Sequence, residues 1–326
     1  MAASSTSGTR TPAGCPIHGS ARTCSPDSTM NELKLVADHV ILALPLIGAY
    51  ALFGLGIVVI YRASRVLNLA HGAMVMLPGY IAYSAAPRVG PALGLLVGIL
   101  SGGVLGVLVE RLVVRRLRPI SQTAQTVGTV AVFAVLVALA AKVWGTEVLP
   151  GVTVVPRHAY QVGVAVVSSD DLALFVVAAI ASAFFFALFR FTSLGLAMRL
   201  AADNRRAAAL MGIDPERTTS AAWLIAGLFA GLGGVLLAGA TGLHPYINSL
   251  DVLPAFVAVL IGGLESTSGA LVGSVAVGLA IGLVPSVGFI GDQEGAPQLV
   301  LAIVAFVIMA LRGRKFQASD VRSALA

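Results

Sequence analysis

Residues 36–60 read VADHVILALPLIGAYALFGLGIVVI, and positions 40–60 carry no charged side chain. A helix crosses the hydrocarbon layer in about 20 mostly apolar residues. This stretch is therefore long enough to span a bilayer, and too long for the core of a secretion signal. Stretches of the same kind follow at 66–86, 90–110, 120–142, 171–190, 220–242, 251–264, 267–288 and 296–311. Two are irregular. The stretch 251–264 is short, and 66–86 is interrupted by Asn68, His71, Gly72, Pro78 and Gly79, so each reads as a broken or re-entrant helix. The expected fold is all-α, a polytopic transmembrane helix bundle of about 8–9 spans with broken or re-entrant helices.

Composition points the same way. Of 326 residues, 57% are hydrophobic and only 11% charged, and the mean hydropathy is +0.93. A soluble domain carries roughly 25% charged residues. The 36 glycines suit helices that pack closely in lipid. Residues 1–31, rich in Ser, Thr, Pro and Gly, read as a disordered tail. Its two cysteines, Cys15 and Cys24, lack CxxC spacing and histidine partners, so they are incidental rather than a disulfide or metal framework. The transmembrane domain is expected over 32–315, followed by a short tail at 316–326.

A net charge of +6 could suggest a nucleic-acid partner, but the basic residues sit in short gaps between apolar runs. Sorting the gaps alternately puts Arg62, Arg65, Arg111, Arg115, Arg116, Arg118, Arg190, Arg199, Arg205, Arg206, Arg217, Arg312, Arg314 and Lys315 on one side. The other side holds Arg88, Lys142 and Arg157 with Glu147, Asp170, Asp171, Asp251, Asp292 and Glu294. The positive-inside rule makes the first side, and the C-terminus with it, cytoplasmic. The N-terminus lies outside if every stretch crosses, and inside if one irregular stretch does not.

Three segments ask for more than a spanning role. The first, 191–219, reads FTSLGLAMRLAADNRRAAALMGIDPERTT. Gly195 marks the exit from the preceding span, the alanine-rich 196–210 favours one or two short helices, Gly212 suits a helix stop and Pro215 blocks continuation. Small residues beside Arg199, Asp203, Arg205 and Arg206 suit docking to a second protein; a solvated loop obeying the positive-inside rule is the plainer reading. The second, 61–80, reads YRASRVLNLAHGAMVMLPGY. Asn68 and His71, spaced i and i+3, share a face if helical. They line a solute path, cap a broken helix beside it, or hydrogen-bond neighbouring helices. The third, 251–273, reads DVLPAFVAVLIGGLESTSGALVG. Its Glu265-x-x-x-Gly269-Ala270 matches Asn68-x-x-x-Gly72-Ala73, a short trace of internal duplication of the kind transporters carry. Phosphate-cradling GxxxxGK[ST] and zinc-protease HExxH patterns do not occur, and no GxSxG is followed by triad partners, so neither an ATP site nor an enzyme is expected in this chain.

At these segments the chain resembles the permease subunits of bacterial high-affinity branched-chain amino acid importers, within a wider group that includes ribose-type sugar permeases. Val66-Leu67-Asn68-Leu69-Ala70-His71-Gly72-Ala73 is similar to the N-[FML]-A-H-G entry of the first of the two paired permease types. Gly195-x-x-x-Arg199-x-x-x-Asp203-Asn204-x-x-Ala207-Ala208-x-x-Met211-Gly212-Ile213 resembles the ATPase-coupling loop. Gly262-Gly263-Leu264 followed by Ser268-Gly269-Ala270 resembles the GGxGSxxGA turn, with Glu265 standing where glycine is usual. The likeness covers about 36–315 and leaves the tail unmatched.

The resemblance implies a bacterial plasma-membrane importer moving leucine, isoleucine and valine. A related second permease, two cytoplasmic ATPases that bind ATP and an extracytoplasmic solute-binding protein would complete it; this chain would hold no cofactor. Gly195, Arg199, Asp203, Asn204, Ala207, Gly212 and Ile213 would couple to the ATPases. Asn68, His71, Gly72, Gly262, Gly263 and Gly269 would line or support the path. Tyr246 and Asn248 would form an external mouth, or belong to an ordinary loop. Other readings are the same machinery for urea or short amides, an ATP-independent transporter or channel, and a membrane scaffold. Sparse intramembrane carboxylates argue against the second, and a scaffold leaves the coupling pattern unexplained.

Overall fold

The computed structural model describes residues 26–153, 158–162, 165–286 and 295–307. Cys15, Cys24, Arg157 and the tail at 316–326 lie outside the described residues. In chain order the helices are α1 (Pro26–Ser64), α2 (His71–Val89), α3 (Pro91–Leu117) and α4 (Gln122–Trp144). A two-stranded antiparallel hairpin follows, β1 (Ala159–Val162) and β2 (Ala165–Ser168). Then come α5 (Ser169–Phe191), α6 (Ser193–Asp203), α7 (Arg205–Leu210), α8 (Pro215–Thr241), α9 (Pro245–Leu250), α10 (Leu253–Gly262), α11 (Thr267–Leu283) and α12 (Ala296–Val307).

Among the described residues, six helical stretches are long and apolar enough to cross a membrane: the Ala37–Ser64 part of α1, α3, α4, α5, α8, and α9 with α10 taken together. The fold is thus an all-α polytopic membrane bundle, with α2, α11 and α12 as shorter or less apolar members. Both irregular stretches are broken. Residues 65–70 are non-helical ahead of α2, and Asp251 and Val252 separate α9 from α10. Helix α1 begins at Pro26, inside the segment that composition marks as tail. Proline suits a first helical turn, where its missing N–H is not needed.

Apolar on every side, α1 is the hub, with 83% of its spanning window buried against 17% for α4. It packs on α5, α8, α10 and α11. The second central helix, α8, packs on α1, α2 and α3. Between them lie Phe53, Trp223, Ala226, Phe229 and Ala230, and Phe185 meets Phe229 edge-on at 4.8 Å.

The α3–α8 crossing turns the usual arrangement of sizes inside out. Gly94, Gly98, Gly102 and Gly106, spaced every four residues, are buried. The large residues Leu93, Leu96, Leu100, Val104 and Leu108 are exposed. Lipid solvates leucine as well as another helix does, so the contact is won by close backbone approach rather than by hiding bulk. A Cβ at Gly102 would run into the Gly227 carbonyl, and a Cβ at Gly227 into that of Gly102.

Contacts gather the connecting segments at two ends, as the charge pattern requires. At the basic end Arg65 pairs with Glu265, Gln122 Nε2 donates to the Arg65 carbonyl at 3.1 Å, and Arg115 reaches Glu216 at 3.1 Å. At the opposite end Leu149 and Leu243 exchange backbone hydrogen bonds of 3.0 and 2.8 Å.

Substituting Gly102 by valine forces α3 away from α8. Overpacking of this kind costs about 1–3 kcal/mol. The expected result is a lower melting temperature for G102V in detergent, while Leu100→Ala, on the exposed face, melts close to the parent.

Candidate functional site

The segment between α5 and α8 forms an angular elbow at the basic end, and local hydrogen bonds set its shape. Thr192 breaks the chain out of α5 in extended conformation and its hydroxyl accepts from Gly195 N–H at 3.3 Å. Gly195 therefore lies inside α6 instead of marking the exit. It is buried because a Cβ there would strike the Phe189 backbone at the end of α5.

Gly195, Met198 and Ala201 form the inward face of α6, while Leu194 and Leu196 are exposed. The helical stretch expected over 196–210 is broken at Asn204, the residue after Asp203. Asn204 is extended, and its Oδ1 accepts from Ala207 N–H at 3.0 Å, starting α7. Such caps contribute about 1 kcal/mol.

Helix α7 ends at Gly212, whose φ of +81° is left-handed. Gly212 N–H donates to the Ala209 carbonyl and Ile213 N–H to the Ala208 carbonyl, both at 3.0 Å. These paired bonds are a Schellman stop. Asp214 then caps α8 through the N–H groups of Glu216 (2.9 Å) and Arg217 (3.2 Å), and these bonds hold its carboxyl below its ordinary pKa. Four sequence-predicted residues, Asn204, Ala207, Gly212 and Ile213, thus build one rigid corner. Arg199 lies apart from it, lining a cavity of about 270 Å³ with Arg62, Arg190, Glu265 and the Ser266–Ser268 hydroxyls.

The entry to α2 corrects the helical spacing argument. Asn68 is not helical, so it shares no helix face with His71. Its Oδ1 accepts from Ala70 N–H at 3.1 Å, its backbone carbonyl accepts from His71 N–H at 3.3 Å, and its amide rests on Met74 Sδ at 3.2 Å. Thr129 of α4 accepts from Leu69 N–H at 3.1 Å. These bonds close a turn ahead of α2, whose own N-cap residue, Ala70, takes no side-chain cap. His71 is fully buried against Gly56 of α1; neither ring nitrogen completes a hydrogen bond, although the Phe53 carbonyl faces the ring. Gly72 lets α9 pass at Ser249.

Gly262 and Gly269 bring α10 and α11 into backbone contact, and Gly263 turns the chain between them with a φ of +97°. Glu265, the departure from the family turn, pairs with Arg65, itself at φ 58°. It thereby ties the α10–α11 turn to the α2 entry. Tyr246 is exposed, whereas Asn248 is buried and bonded to His244 N–H and to Asp251.

Sequence reasoning missed a cluster at the foot of the α3–α8 crossing. Glu110, fully buried, accepts from Arg115 at 3.2 and 3.1 Å, from Arg118 at 3.5 Å and from the Ser220 hydroxyl at 2.9 Å. Arg115 also donates to Ser220 at 2.8 Å and pairs with Glu216. The helix widens to a π-turn over Glu110–Val114, a deviation that recurs at functional sites. Arg115 and Arg118 therefore do more than obey the positive-inside rule. The available signal was a lone carboxylate inside the apolar run before the arginines. The basic end presents a stiff, outward-facing surface rather than reacting groups.

Among the described residues, six helices long and apolar enough to span a membrane, with both irregular stretches interrupted and an angular elbow at the basic end, describe a multi-pass membrane protein. Comparison with known proteins agrees. The chain belongs to the family described as branched-chain amino acid transport system / permease component, whose model matches residues 40–311. It is 24% identical over 250 residues to the high-affinity branched-chain amino acid transport system permease protein LivH of Escherichia coli, covering 71% of this chain and 80% of that one. A probable LivH of Methanocaldococcus jannaschii is 26% identical over 272 residues, covering 79% and 84%. BraD of Pseudomonas aeruginosa, a permease protein of the same kind of system, is 27% identical over 271 residues, covering 77% and 87%. Among solved structures, PsaBC from Streptococcus pneumoniae in complex with Fab overlaps with a TM-score of 0.45 and 14% identity, over 84% of this chain and 90% of that one.

Removing one member of a buried ion pair is worse than neutralising it in place. Arg115→Ala removes two of the hydrogen bonds to the Glu110 carboxylate and leaves it Arg118 and Ser220, so it should cost roughly 3 kcal/mol, the low end for a broken buried pair. Glu110→Gln keeps the shape and one acceptor oxygen but turns an amide NH2 toward donors that the second oxygen accepted from, so its cost should be about 1–3 kcal/mol. Thermal melts in detergent should therefore rank parent above E110Q and E110Q above R115A. Equal melts for the two variants would mean the pair is not what holds α3 to α8.

Proposed function

We propose that this chain is one membrane subunit of an ATP-driven importer that carries branched-chain amino acids into the cytoplasm. One observation carries the reading, the elbow of α6 and α7. Its inner residues Met198, Ala201 and Ala208 are buried on the bundle, while Leu196, Leu210 and Met211 stand exposed on the other side of the same element, Leu210 at 90%. Apolar side chains grouped outside the bilayer mark a surface that another protein covers. The partner is a cytoplasmic ATPase, one on this chain and one on a related second permease, so ATP binds outside this chain.

Closure of the ATPases pushes the elbow. The rigid corner at Asn204 and Gly212 passes the displacement to α8, because Asp214 begins α8 directly after it. The Glu110–Arg115–Ser220 cluster carries it on to α3, and the bundle rocks as a body. Asn68, His71 and Gly72, with Gly262, Gly263 and Gly269, hold the broken helices beside the path, and Tyr246 faces the solute-binding protein. The basic end is cytoplasmic by the positive-inside rule, and the C-terminus with it. The family and the relatives LivH and BraD support the choice of solute.

Gly212 supplies the test. Space around it is open, so tryptophan at this position can stand free, but its left-handed backbone strains any side chain other than glycine or asparagine. In proteoliposomes holding both permeases, both ATPases and the solute-binding protein, G212W should insert normally. Leucine uptake should fall roughly tenfold, the effect of about 1.4 kcal/mol, and G212N should stay near the parent. Normal uptake by G212W removes the docking assignment. Labelling of Leu210→Cys, in a chain lacking Cys15 and Cys24, should occur from the cytoplasmic side alone; labelling from outside sinks the importer reading.

A further inference from the structure

The break between α9 and α10 opens on a cavity of about 320 Å³, within the size range of small-molecule pockets. Tyr50 of α1, Ile247, Leu250, Asp251 and Leu253 around the break, and Gln298 of α12 line it. Most of the wall is aliphatic, and Ile247, Leu250 and Leu253 are each about half exposed to it and its surroundings.

Among the described residues, Asp251 is the one acidic group on this wall. It closes α9, its N–H donating to the Ile247 carbonyl at 3.2 Å, and stands just ahead of the first turn of α10. Asn248 orients it: the Asn248 carbonyl accepts from His244 N–H, and its amide donates to Asp251 Oδ2 at 3.3 Å. Among the described residues no basic side chain forms an ion pair with Asp251. A carboxylate lacking a counter-ion on a largely aliphatic wall is left to find a cation from outside the chain. Carboxylates within spanning segments mark substrate and ion pathways in transporters, and interrupted helices place such sites at their breaks.

We propose that this cavity is a station for the solute itself. Asp251 receives the ammonium group of an aliphatic amino acid, Ile247, Leu250 and Leu253 receive its branched side chain, and the Tyr50 hydroxyl and Gln298 amide face its carboxylate. The inference rests on the importer reading above and narrows it: a neutral solute such as urea or a short amide has no cation to offer Asp251.

The test uses the complete complex of both permeases and ATPases in detergent, without the solute-binding protein, and tritiated leucine as probe. Unlabelled leucinol, which keeps the ammonium and lacks the carboxylate, should displace the leucine. 4-Methylpentanoate, which keeps the carboxylate and lacks the ammonium, should not. Asp251→Asn should weaken leucine binding roughly tenfold or more with an unchanged melting temperature, and Asp251→Glu should recover part of it. Displacement by 4-methylpentanoate but not by leucinol overturns the proposal, as does parental binding by D251N. A parent complex that imports leucine with its solute-binding protein but binds none without it overturns the station alone. A parent complex that imports no leucine at all overturns the amino-acid reading instead.

Discussion

Two helices can touch backbone to backbone only where neither carries a side chain at the crossing, and the α3–α8 contact at Gly102 and Gly227 meets that condition. In a bilayer this constraint takes the place that a hydrophobic core holds in water. Large aliphatic residues gain nothing by leaving lipid, so α3 spends them on its outer face and keeps glycine inside. Because α8 is fixed by α3 on one side and by α1 on another, everything attached to the ends of α8 is held with it. One end carries the elbow and the other leads to α9 and the cavity at Asp251.

The elbow is stiff for a different reason. A helix as short as α7 is unstable alone. Its ends are closed in sequence by Asn204, by the paired bonds around Gly212 and by Asp214. Each closure contributes little, but together they leave the corner no slack, which a lever requires. Ala208, buried beneath α7, anchors it to the bundle, while Leu210 and Met211 stay outside.

The cluster at Glu110 links the two regions. A buried carboxylate is tolerable there because two arginines and a hydroxyl satisfy it. It sits where the glycine-packed crossing ends and the elbow begins. Arg65 with Glu265 does a parallel job between the α2 entry and the α10–α11 turn, joining two broken segments whose short sequence match had suggested a common origin.

Apolar length was enough to establish a multi-span helical bundle, because hydrocarbon thickness acts on local sequence. Gly212 was legible as a helix stop for the same reason, since it acts on its own neighbours, whereas the cap at Asn204 emerges only in the structure, within a stretch whose alanines favour helix. Asn68 and His71 were not: a spacing of three residues implies a shared face only if the chain between them is helical, and tertiary contacts at Thr129 and Ser249 decided that it is not. Glu110 with Ser220, and the convergence of Tyr50, Asp251 and Gln298, join residues far apart in the chain. Such meetings depend on which helix faces which. In lipid that choice is made by glycine contacts between helices, a pairing that no single stretch of sequence contains.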